Sequence, residues 1–86
     1  MDGYVIMVAN LNEEETTEED LIDDFSDYGE IKNCVLNLDR RTGYVKGYAL
    51  LEYKSVKEAT KAISEMNNKK VRGKELRVDW AFKKHN

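Results

Sequence analysis

Apolar and polar positions change their spacing several times along this chain, and each change marks an element. Tyr4–Ala9 is an unbroken apolar run of six residues, rich in valine and isoleucine, and reads as a strand. Thr17-Glu18-Glu19-Asp20 has the chemistry of a helix start: a hydroxyl that caps, then acids in the first turn. Leu21, Ile22 and Phe25 follow at helical spacing, and Gly29, just past Tyr28, reads as the stop. Residues 31–38 alternate, with Cys34, Leu36 and Leu38 on one side and Val35 and Asn37 on the other. Residues 39–45 form a polar, basic loop around Thr42-Gly43, and residues 46–53 are a second β-like run. Ser55-Val56-Lys57-Glu58 is a capping box before a helix whose apolar stripe is Ala59, Ala62, Ile63 and Met66. Residues 75–80 alternate again, Leu76, Val78 and Trp80 against Arg77 and Asp79.

The resulting order, βαββαβ, matches the ferredoxin-like α/β (α+β) pattern. Two amphipathic helices can bury their stripes against one face of a four-stranded antiparallel sheet. That leaves the other face uncovered, and function is expected there. Alternation places Tyr48, Leu50 and Glu52 on the open face and Ala49, Leu51 and Tyr53 on the core face. On the first strand Val5, Met7 and Ala9 are expected to face outward, with Ile6 and Val8 inside.

Composition narrows the class. With 86 residues, 41% hydrophobic and 36% charged, the chain is expected to be one small domain (residues 1–86, core about 4–82) and not a disordered segment. The longest apolar run is far short of the ~18 residues of a membrane span, and Met-Asp-Gly lacks the basic start of a secretory signal. The lone Cys34 cannot form an internal disulfide, which fits a reducing compartment, and its neighbours mark it as core.

Charge is unevenly distributed beneath a net −3. Residues 1–30 hold eleven acids and no lysine or arginine, whereas residues 31–86 hold six acids against fourteen lysines and arginines. Only part of the surface therefore suits phosphate. Asp20, Asp23, Asp24 and Asp27 share one helix face, read as solvated or as a dock for a basic partner. Their spacing is not that of a calcium loop, and no metal or other cofactor is expected. Neither a nucleophile–base set nor a phosphate loop is present, and His85 has no acid or nucleophile beside it, so no enzyme is expected.

Two segments carry a family resemblance. Lys46-Gly47-Tyr48-Ala49-Leu50-Leu51-Glu52-Tyr53 resembles the RNP1 octamer of RNA-recognition-motif (RRM) domains, and Ile6-Met7-Val8-Ala9-Asn10-Leu11 resembles their RNP2. The family stacks RNA bases on outward aromatic rings, and its three stacking positions correspond here to Met7, Tyr48 and Leu50. Only Tyr48 is a ring. Met7, Leu50, Val5 and Val35 instead suggest an aliphatic patch suited to a protein partner, to a self-covering tail or to weak RNA binding. Glu52 would repel phosphate.

The run from Tyr28-Gly29-Glu30-Ile31-Lys32-Asn33 through Leu36-Asn37-Leu38-Asp39-Arg40-Arg41-Thr42-Gly43-Tyr44 to Lys46-Gly47-Tyr48, with Val78-Asp79-Trp80, is similar to the RRM subunits of the exon junction complex. That resemblance implies a heterodimer with a Mago nashi homologue, formed through the sheet face, here Val5, Met7, Val35, Tyr48, Leu50, Glu52 and Arg77. It further implies a DEAD-box ATPase and spliced messenger RNA in the larger assembly, no membrane, and a nuclear protein that shuttles to the cytoplasm. Tyr48, Arg40, Arg41 and Lys46 are the candidates for RNA contact, with residues 69–74 as a further basic segment. An adaptor for other proteins or peptides would use the same face.

Overall fold

The computed structural model describes residues 3–38 and 47–82. Strand β1 (Tyr4–Ala9) leads to helix α1 (Glu18–Phe25), β2 (Asn33–Asn37), β3 (Tyr48–Tyr53) and helix α2 (Val56–Met66). A hairpin of β4 (Lys70–Val71) and β5 (Lys74–Glu75) follows, and then β6 (Arg77–Trp80). The main sheet is antiparallel in the order β2-β3-β1-β6. This is the expected two-helix, four-strand architecture with one added hairpin.

Local chemistry sets the helix ends. At α1 the Thr17 hydroxyl accepts the Asp20 N–H at 3.1 Å while the Asp20 carboxylate accepts the Thr17 N–H at 3.0 Å, a complete capping box. The α-helix ends at Phe25, three residues short of the Tyr28 expected from spacing. Ser26–Tyr28 tighten into a 3-10 turn, closed by the Gly29 N–H on the Ser26 carbonyl. At α2 the Ser55 hydroxyl accepts the Glu58 N–H, and it donates its own proton to the Glu58 carboxylate.

Both helices bury their stripes on one face of the sheet. Leu21, Phe25, Ala59, Ala62 and Met66 meet Ile6, Val8, Ala49, Leu51, Tyr53 and Val78 in one core. Ile22 departs from the expected stripe: it is exposed, and Leu21 and Phe25, one helical turn apart, take the inward positions. Ile63 is only partly buried. Tyr53 is fully buried and donates its hydroxyl to the Phe25 carbonyl at 2.8 Å. Burial pushes that phenol well above its ordinary range. Cys34 is half-buried against the core, and desolvation raises its thiol to about 11, which keeps it protonated at neutral pH.

Where alternation predicts one strand over residues 75–80, the structure divides the segment. Lys74–Glu75 pair with Lys70–Val71 around a two-residue turn, and only Arg77–Trp80 join the main sheet. Arg72 (φ 47°) and Gly73 (φ 82°) are both left-handed, as the twist of such a tight hairpin requires. Arg72 anchors the turn to α1. Its guanidinium pairs with Asp24 and its carbonyl accepts the Asn12 side-chain amide at 2.9 Å. The acidic face of α1 is therefore partly engaged within the fold, with Asp24 on Arg72 and Asp20 on the cap.

Candidate protein or nucleic-acid interface

The sheet register settles which side chains share the uncovered face. Val5 lies opposite Glu52, Met7 opposite Leu50, and Ala9 opposite Tyr48. On the far side of β3, Asn33 pairs with Glu52, Val35 with Leu50, and Asn37 with Tyr48. On the far side of β1, Met7 pairs with Asp79 and Ala9 with Arg77. All seven residues proposed from sequence for a partner surface thus lie on one face. Side chains on one face of paired strands line up in such rows.

The seven are not equally accessible. Met7 (37% exposed) and Val35 (44%) are open to solvent and flank a half-buried Leu50. Tyr48 is half-buried, and its hydroxyl accepts the Asn37 amide at 3.2 Å. Val5 and Glu52 depart from the expected open patch: each is only 3% exposed. Strand alternation assigned their side correctly but carried no information on what covers them. Arg77 is exposed but tethered, donating to the Asn68 side-chain oxygen at 2.6 Å and pairing with Glu75 at 3.3 Å. Arg40, Arg41 and Lys46 lie outside the described residues.

Glu52 is thus not a free negative charge facing solvent. Its carboxylate accepts the Asn33 amide and the Gly3 N–H, both at 2.5 Å. The Asn33 hydrogen bond holds the carboxyl below the ordinary carboxylate value, with help from Gly3 and Lys32 and against the effect of burial. A depressed value means stabilisation that is present above the ordinary carboxylate range and lost as pH falls through the depressed one. Native protein should therefore exceed Glu52→Gln in melting temperature at pH 7, and the gap should close on titration toward pH 3. A gap independent of pH would show that the charge contributes nothing.

Sequence reasoning missed Asn33 as part of this network, although continuing the alternation back from Val35 would have placed it on the face. The hairpin was missed as well. At the other end of the face, the Glu13 carboxylate accepts the Gly47 N–H and fixes the entry into β3 beside Tyr48. Among the described residues no group of three or more His, Cys, Asp or Glu side chains is placed to hold a metal ion. None of their helices is long and apolar enough to cross a membrane.

A four-stranded antiparallel sheet, backed by two helices on one face and open at the centre of the other, is a ferredoxin-like α/β domain. The chain belongs to the RNA recognition motif family, matching it over residues 6–77. It is 54% identical to RNA-binding protein Y14 of Arabidopsis thaliana over 82 residues, which are 95% of this chain and 40% of that protein. It is 50% identical to an uncharacterized RNA-binding protein of Schizosaccharomyces pombe, covering 95% of this chain and 66% of the relative. The chain thus spans between two fifths and two thirds of the length of these relatives. Among solved structures it resembles the third RRM of Pes4, with TM-score 0.81, 34% identity and 96% of each chain covered. The Sex-lethal RNA recognition domains 1 and 2 of Drosophila melanogaster superpose with TM-score 0.80 at 31% identity, over 94% of this chain and 51% of theirs.

Proposed function

We propose that this RRM acts chiefly as a protein-interaction module, forming a heterodimer with a Mago nashi homologue through its sheet face. The heterodimer would work in an exon junction complex on spliced messenger RNA, with a DEAD-box ATPase, in surveillance, export and localisation. The setting is the nucleus, with shuttling to the cytoplasm. The observation that carries this reading is the open centre of the sheet. Met7 and Val35, both exposed, and Leu50 between them form an aliphatic row where base stacking would need rings. The 54% identity to a plant RNA-binding protein over 95% of this chain supports a setting on RNA. An equimolar mixture with a Mago nashi homologue should elute from a sizing column as a 1:1 complex. Separate elution at micromolar concentration would contradict the proposal.

Tyr48 supports a second, weaker activity, because it retains one aromatic platform on the same face. Each base–aromatic stack contributes roughly 1–3 kcal/mol, and two of the three platforms are Met7 and Leu50. Short single-stranded RNA should therefore bind the free chain only beyond ~10 µM at physiological salt, and more weakly still as salt rises. Fluorescence anisotropy checks this. Tight, sequence-selective and salt-insensitive binding would favour RNA as the principal ligand of the face.

A further inference from the structure

One end of the sheet face is shut, and the chain entering β1 is hydrogen-bonded there. Met7 is 37% exposed, while Val5, the previous outward residue on the same strand, is 3% exposed. The change from open to closed thus falls within one outward step along β1. Glu52, the register partner of Val5, is closed to the same degree and holds the Gly3 N–H at 2.5 Å.

A second, independent observation concerns the fit of Gly3. A Cβ built on this residue would lie 2.9 Å from the Tyr53 carbonyl oxygen and 2.9 Å from the Glu52 Cγ, closer than real Cβ atoms come. The backbone at position 3 can rest against β3 only because it carries no side chain. Hydrogen bond and close approach therefore define a seat shaped for this segment.

We propose that the chain entering β1 is a latch on the sheet face: Gly3, seated on Glu52 and the Tyr53 carbonyl, closes the Val5 end, and a ligand reaching that end must lift it. The consequence is a rule for ligands, whatever the class of molecule the face takes. Lifting Gly3 removes one of the two donors to the Glu52 carboxylate, and a buried carboxylate left short of donors is unfavourable. A group that replaces Gly3 has to donate in turn, as a backbone N–H, an amide or a basic side chain does. Phosphate or carboxylate at the same place is rejected. The open centre around Met7, Val35 and Leu50 is thus available unconditionally, and the Val5 end only to donors.

The test uses the full 86-residue chain, methyl-labelled at valine, with a soluble gadolinium chelate as the probe of solvent access. In the native chain Val5 should be shielded as well as the core valines Val8 and Val78, and Val35 should relax strongly. Gly3→Ala cannot keep the seat, and Gly3→Pro removes the donor. In both variants the relaxation of Val5 should rise several-fold toward that of Val35, while Val8 and Val78 stay shielded and report an intact fold. Val5 remaining at the level of Val8 in either variant would overturn the latch.

Discussion

Leu50→Arg should abolish binding of a Mago nashi homologue while leaving the free domain folded. Leu50 sits on the open face with Met7 and Val35 as its register partners on either side. Its chain neighbours Ala49 and Leu51 are fully buried on the opposite face and are untouched by the change. In the free protein an arginine here can extend its charge into water along the half-exposed row. Under a protein partner the same charge is desolvated without a counter-ion, a penalty of about 3–5 kcal/mol. That corresponds to a loss of about a hundredfold or more in affinity. Calorimetry should show no saturable binding where the native chain saturates, with unchanged circular dichroism. Unaltered affinity would remove this face from the interface.

Phe25→Ala should be among the most damaging changes to stability. Phe25 is fully buried in the core cluster that also holds Leu21, Tyr53 and Ala59. It is the last residue of α1, so it fixes the helix against the sheet just before the 3-10 turn. Truncating a buried phenylalanine removes about 3–5 kcal/mol, part of it from the cavity left behind. Small domains have only about 5–15 kcal/mol in all. Equilibrium urea unfolding should therefore show a midpoint lowered by about a fifth or more. A loss under ~1 kcal/mol would mean that the site collapses around the missing ring and that α1 is held elsewhere.

Much of this fold could be read from the sequence because its signals are local. Alternation in Tyr48–Tyr53 separated Leu50 from Leu51, and the register confirms the assignment. The caps at Thr17 and Ser55 also lay where hydroxyl and acid chemistry placed them. What escaped depends on contacts between distant residues. The Gly3–Glu52 hydrogen bond spans 49 positions, and the Arg72–Asp24 pair spans 48. No periodicity within either segment announces such a contact. The hairpin strands Lys70–Val71 and Lys74–Glu75 are too short to show a period, and Arg72-Gly73 was their only turn signal. For the interface, alternation fixed the side on which each residue lies, whereas the burial of Val5 and Glu52 is a tertiary property that no local period reports.

The central claim, that protein and not RNA is the principal ligand of the sheet face, is tested most directly by a competition followed through the methyl signals of Met7, Val35 and Leu50. A Mago nashi homologue, titrated into the labelled chain, should shift all three to saturation at a 1:1 ratio. Single-stranded RNA should perturb them only beyond ~10 µM, consistent with a single stacking platform, and the partner should displace it completely. RNA that binds tightly and persists on these residues after the partner is added would contradict the account.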